Sequence, residues 1–143
     1  MSAIVIESQP LVRLGMLRML EHLSGIGPVH GIDPEGIDAL PASDDPVLVV
    51  YGMSAETTDN WSQLRRLYRR MPHARILLLC DNIWLRVPSA LQGGGMVAHL
   101  PKSASIERME AAIGHLLGDA AYLPPPASGS GAWQPHRHAS ALI

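Results

Sequence analysis

The chain has 143 residues, of which 47% are hydrophobic, and eleven basic and thirteen acidic side chains give it a formal charge of −2. This size suits one compact domain rather than two, and the scattered charges exclude a broad basic surface for nucleic acid. A single cysteine excludes internal disulfides and cysteine-based zinc sites. No apolar run approaches the ~20 residues of a membrane-spanning helix, and polar residues at positions 7–9 interrupt any signal-like start. We therefore expect a cytoplasmic protein without membrane contact.

Five short apolar runs predict β-strands at residues 3–6, 29–32, 47–51, 76–80 and 96–100. Segments with helical spacing lie between these runs. Such alternation is typical of βαβ units, which build a parallel sheet with helices on both faces. The sequence therefore predicts an α/β fold.

The first helix is predicted to begin at Pro10, since proline fits a first helical turn, and to end before Gly25. A short second helix is expected at residues 33–40. Thr58 or Asp59 can cap a third helix that runs to Met71. The predicted apolar side of the first helix comprises Leu11, Leu14, Met16, Leu17, Leu20 and Leu23.

The fourth helix, at residues 82–92, contains Pro88 and should be short, kinked or displaced. Ser105 can cap a last helix, in which helical spacing predicts a core-facing stripe. Residues 1–123 then form the domain, and residues 124–143 form a tail rich in proline, glycine and serine that we expect to be disordered or loosely docked. The stripe consists of Ile106, Met109, Ile113, Leu116 and Leu117.

Several segments, in this order and spacing, resemble the receiver domain of NarL/FixJ-type response regulators. They are IVIESQPLVR at residues 4–13, LRRL at 64–67, PHARILLL at 72–79, LPKSAS at 100–105 and YLPP at 122–125. The resemblance covers most of the chain. It implies a doubly wound, five-stranded, CheY-like sheet of order 2-1-3-4-5 with about five flanking helices.

The resemblance also implies a phosphoryl-accepting aspartate at the end of the third strand and a magnesium ion held by it and by an acidic pair after the first strand. This chain departs from that pattern. Glu7 and Ser8 stand at the acidic pair, and Gly52, which has no side chain, stands at the acceptor position. Because magnesium prefers several oxygen ligands, we expect its binding to be weak or absent. We therefore interpret the chain as a degenerate receiver that works without phosphorylation.

Other positions of the implied site are also changed. Cys80 replaces the hydroxyl residue after strand four, His99 replaces the aromatic switch residue of strand five, and only Lys102 matches. Without an acceptor carboxylate, Lys102 is expected to pair with Glu7 or Asp81. Cys80 is a candidate oxidant sensor and His99 a candidate pH sensor, but a small buried residue and an ordinary half-buried histidine are the favoured interpretations.

Aromatic and apolar residues around Pro88 form a candidate interaction face, namely Trp84, Leu85 and Val87. Core packing of Trp84 is an equally weighted alternative. The resemblance implies pairing near this face, so we expect a homodimer and a regulatory protein partner. The residues after Pro126 are too few for a helix-turn-helix unit, so DNA contact is expected only through an output domain outside this sequence.

Three functions follow from these observations. The favoured one is a non-enzymatic signalling module of a two-component type that regulates transcription through protein contacts. The second is a receiver phosphorylated at another carboxylate, such as Asp81, Asp59 or Glu56. The third, an enzyme or small-molecule binder, is disfavoured because the chain has no glycine-rich phosphate loop and no nucleophile elbow.

Overall fold

A computed structural model of the chain describes residues 1–54, 57–81 and 97–118. Its strands are β1 (Ala3–Ile6), β2 (Val29–Ile32), β3 (Val47–Gly52), β4 (Ala74–Cys80) and β5 (Val97–Pro101). Its α-helices are α1 (Pro10–Glu21), α2 (Thr57–Arg70) and α3 (Ile106–Leu116), and a 3-10 helix covers Pro34–Ala39. The predicted fourth helix, the Trp84, Leu85 and Val87 face, and the tail lie outside the described residues.

All five strands are parallel and follow the order β2-β1-β3-β4-β5. The predicted α/β class and strand order are therefore confirmed. The register places Ile6 opposite Tyr51, Gly52 opposite Leu79, and Cys80 opposite Pro101. Because the strands are parallel, the residues that follow β1, β3, β4 and β5 meet at one edge of the sheet.

Each face of the sheet carries its own apolar cluster. Strand side chains alternate between faces, so Val49 and Tyr51 pack toward α2, whereas Leu48 and Val50 pack toward α1 and α3. Leu64 and Leu67 of α2 are fully buried. This double coverage explains why the central strands are continuous apolar runs.

Two predicted helical features are wrong in detail. The short helix expected at residues 33–40 is present, but it is a 3-10 helix at Pro34–Ala39, which Asp33 caps by accepting a hydrogen bond from the Glu35 amide at 3.0 Å. The predicted apolar side of α1 is too broad, because Leu11 and Leu14 are 81% and 47% exposed. At about 100° per residue, both point away from Met16 and Leu20, which face the sheet.

The predicted stripe of α3 is also too long. Ile106 is 60% exposed, because it is the first residue of the helix, and the buried side chains begin at Ala111. The predicted cap is confirmed, since the Ser105 hydroxyl accepts a hydrogen bond from the Arg108 amide. No helix in the described parts of the chain is both long enough and apolar enough to span a membrane.

Candidate functional site

Most of the described residues that the sequence singled out lie at the C-terminal edge of the sheet, namely Glu7, Ser8, Gly52, Cys80, Asp81 and Lys102. Backbone hydrogen bonds continue one residue past the strands: the Glu7 amide donates to Ile32 at 3.2 Å and the Lys102 amide to Cys80 at 3.0 Å. The Arg13 guanidinium on α1 donates to the Glu7 carbonyl oxygen at 2.7 Å. These bonds hold the backbone of Glu7 and Lys102 in place, so their side chains start from defined positions.

Glu7 is the charged residue at the centre of this edge, and its side chain is only 1% exposed. Its Oε2 accepts hydrogen bonds from the Gln9 amide at 2.9 Å and from the Ser8 hydroxyl at 3.5 Å. Its Oε1 lies 3.3 Å from Lys102 Nζ but accepts no hydrogen bond from the described residues. One carboxylate oxygen therefore depends on charge attraction alone.

The structure identifies the partner of Lys102 as Glu7. The Lys102 side chain is 18% exposed, so the pair is largely withdrawn from water. Asp81, the alternative partner, is exposed and forms no ion pair within the described residues. Removing one member of a buried pair leaves an uncompensated charge and typically lowers the free energy of unfolding by ~3–5 kcal/mol. Each of the two charges therefore stabilises the other in its buried position.

Gly52 lies directly under the Glu7 carboxylate. A Cβ atom at position 52 would overlap Glu7 Oε1 and lie 2.8 Å from Glu7 Cδ. The backbone of Gly52 has no positive φ angle, so its conformation does not require glycine. Glycine is needed because the Glu7 side chain occupies the space that any larger residue would use.

The neighbouring position Cys80 is buried and His99 is half-buried, and the role of Cys80 as an oxidant sensor stays a hypothesis. Cys80 is 5% exposed, and His99 is a half-buried residue of β5 beside Leu78. Burial lowers the pKa of His99 below its ordinary value of 6.5, because the imidazolium form loses hydration. The imidazole is therefore neutral at neutral pH, and its role as a pH sensor stays a hypothesis.

A buried polar network on the opposite side of β3 was not predicted. The Tyr51 hydroxyl contacts the side-chain amides of Asn60 and Gln63, and Asn60 also binds the backbone of Ser54 through Oδ1 at 3.0 Å and Nδ2 at 2.9 Å. The position of Asn60 in the sequence could have indicated this network. Asn60 lies four residues before Leu64 on α2, and an amide at such an inward position needs partners.

Magnesium and other metal ligands are scarce at this edge. Within residues 1–54, 57–81 and 97–118, no three His, Cys, Asp or Glu side chains are close enough to hold a metal ion together. Directly after β1 the side-chain donors are the carboxylate of Glu7 and the hydroxyl of Ser8, and Gly52 at the end of β3 offers none. The carboxylate is already engaged with an ammonium group.

Comparison with known proteins gives one distant relative. The chain is 27% identical over 139 residues to the Transcriptional activator protein ExaE of Pseudomonas putida, and the match covers 95% of this chain. The chain spans 64% of the length of that relative. No protein-family model matches the chain, and no solved structure matches it.

Proposed function

We propose that the chain is a degenerate receiver domain of NarL/FixJ type that contributes to transcription control through protein contacts and without phosphorylation. Three observations support this proposal: the segments that resemble such receivers, the sheet order that the resemblance implies, and a distant relative named as a transcriptional activator. The transcriptional role is proposed by analogy with that relative, which is longer than this chain.

The buried Glu7 carboxylate above Gly52 is the observation that carries the phosphorylation-independent part. A receiver takes a phosphoryl group on a carboxylate at the end of β3, and Gly52 has none. Glu7 does fill the adjacent space, but Lys102 holds its Oε1 and its side chain is 1% exposed. An incoming phosphoryl group or a hydrated metal ion would have to compete with Lys102 for Oε1 and with the Gln9 amide for Oε2.

The same donor set does not fit the magnesium ion of active receivers. Magnesium requires near-octahedral oxygen coordination, usually with one or two carboxylates and several waters. Here the site offers Glu7, which is neutralised by Lys102, and the neutral hydroxyl of Ser8. We therefore propose weak or absent magnesium binding and no enzymatic activity.

Incubation with acetyl phosphate and magnesium tests this proposal. We expect the intact mass of the protein to stay unchanged, whereas a conventional receiver treated in parallel gains one phosphoryl group. A phosphoryl adduct that hydroxylamine removes would contradict the proposal. Replacing Asp81, Asp59 and Glu56 by alanine in turn would then identify the alternative acceptor.

The proposed mode of action also requires a partner. We propose a homodimer that passes its state to an output region outside the residues of this sequence. Light scattering coupled to size exclusion should report twice the mass of the 15.4 kDa chain. A monomer at all concentrations would contradict the homodimer and leave a different regulatory protein as the partner to be sought.

A further inference from the structure

We infer that Glu7 acts as a resident substitute for the missing acceptor carboxylate and holds Lys102 in one position without any external signal. This inference rests on the proposed function, because it describes how the same site is regulated. The structural basis is the ion pair between Glu7 and Lys102, which we call the bridge. The Glu7 side chain starts after β1 and crosses above Gly52 on β3, and it meets the Lys102 ammonium group, whose side chain starts after β5.

The sheet geometry explains why this bridge needs long side chains. β1 and β5 are separated by β3 and β4, and with about 4.8 Å between neighbouring strands their backbones lie ~14 Å apart. A glutamate and a lysine that extend toward each other can cover this span, as the 3.3 Å contact shows. An aspartate at position 7 has one methylene fewer and is expected to leave the contact open.

The bridge also explains why position 52 is a glycine. The path of Glu7 from β1 to Lys102 passes over the end of β3, and a Cβ atom at position 52 would overlap it. The extended conformation of Glu7 and a side chain at position 52 therefore exclude each other, so the carboxylate that meets Lys102 comes either from Glu7 in this conformation or from a side chain at position 52. The loss of the acceptor side chain and the extended Glu7 conformation are two aspects of one arrangement.

The bridge has a consequence for the turn between β5 and α3. Lys102 is the first residue of that turn, whose backbone is closed by a hydrogen bond from the Ala104 amide to Pro101, and Ser105 then caps α3. An ion pair that fixes Lys102 therefore ties the start of α3 to the end of β1. The edge of the sheet stays in one state as long as Glu7 occupies its place.

A double-mutant cycle between positions 7 and 52 tests the inference. Gly52→Ala alone should lower the midpoint of thermal unfolding by about 5 °C or more, because the added methyl group displaces the buried Glu7 carboxylate. Glu7→Ala combined with Gly52→Ala should show almost no further loss from the second substitution. An equal effect of Gly52→Ala in both backgrounds would overturn the inference.

A second experiment moves the carboxylate from position 7 to position 52. Glu7→Ala combined with Gly52→Asp places a carboxylate at the end of β3, where it should pair with Lys102 and unfold at a higher temperature than Glu7→Ala with Gly52→Ala. This gain should vanish when Lys102→Met is added. A gain that persists without the lysine would contradict an exchange of carboxylates between the two positions.

The state of the turn is read by amide chemical shifts of residues 102–105. Glu7→Asp keeps the charge but shortens the side chain, and Glu7→Gln keeps the length but removes the charge, so both should shift these amides if the ion pair holds the turn. Unchanged amides in both variants would overturn the inference. These results do not depend on phosphorylation: an adduct on the wild-type protein would contradict the proposed function and leave the coupling of positions 7 and 52 intact.

Discussion

Two buried polar side chains, Glu7 and Asn60, flank the end of β3 and differ in how their polar atoms are satisfied. Both are 1% exposed. Asn60 is neutral, and its Oδ1 and Nδ2 both have backbone partners on Ser54. Glu7 carries a charge, and its Oε1 has an ion pair but no hydrogen bond among the described residues. Both polar side-chain atoms of Asn60 therefore have hydrogen-bond partners, whereas the Oε1 atom of Glu7 depends on the Lys102 ammonium group.

The two side chains differ in the free-energy cost of burying them. A fully bonded buried amide connects the loop after β3 to α2 and costs little, because buried polar groups are tolerated when they are paired. A buried carboxylate with one oxygen held by charge alone is costly to keep. This cost is the physical reason for testing whether Glu7 holds Lys102 in place, as proposed above.

The largest effect is expected from removing the cation of the buried pair. Lys102→Met should lower the free energy of unfolding by ~3 kcal/mol, because it leaves the Glu7 carboxylate without compensation. Urea denaturation followed by circular dichroism measures this loss. Adding Glu7→Gln to Lys102→Met should recover much of the stability, and a double variant no more stable than Lys102→Met alone would show that the charge is not the cause.

A smaller loss is expected at the opposite network. Asn60→Ala should cost ~2 kcal/mol, since the amide and carbonyl groups of Ser54 lose their buried partners. Gln63→Ala, which removes the contact with the Tyr51 hydroxyl and leaves the Asn60 bonds to Ser54 in place, should cost about half as much and serves as the matched control. Equal losses in the two variants would mean that Ser54 is not the main anchor of Asn60.

Much of this edge could be predicted from the sequence, because parallel strands bring their C-terminal ends together whatever the details of packing. That rule places Glu7, Gly52, Asp81 and Lys102 at one edge, and the absence of an acceptor side chain at position 52 can be read directly. It leaves both Glu7 and Asp81 as partners for Lys102. Choosing between them requires the strand spacing and side-chain lengths, which only the assembled sheet provides.

The wrong predictions of buried helix positions also arise because tertiary packing cannot be read from the sequence. Leu11, Leu14 and Ile106 fit a helical pattern, but a pattern reports only which residues share a helix face and not how far the sheet extends beneath it. The 3-10 helix at Pro34–Ala39 is likewise too short for its periodicity to identify its type. Local rules therefore located the elements, whereas the limits of the core depended on tertiary packing.

His99 provides a pH-dependent test on the side of the sheet that faces α2. Its pKa is lowered by burial, so the folded state binds a proton less readily than the unfolded state. Its contribution to stability is therefore neutral above pH 6.5 and becomes unfavourable as the pH falls below that value. His99→Gln should reduce the loss of stability between pH 7 and pH 5, measured by thermal unfolding at several pH values; an identical pH profile would place the titration elsewhere.

The smallest effect is expected from the ion pair between Asp38 and Arg66, whose side chains are much more exposed than those of Glu7 and Lys102 although Arg66 Nε itself is buried. Its atoms are 3.3 Å apart, the same separation as in the buried pair, but the two side chains are 66% and 39% exposed. Exposed pairs typically contribute less than ~1 kcal/mol and weaken with salt. Asp38→Asn should therefore change the free energy of unfolding by about 0.5 kcal/mol or less, and less still in high salt. A loss as large as that of Lys102→Met would show that burial does not distinguish the two pairs, and the special role assigned to Glu7 would lose its physical basis.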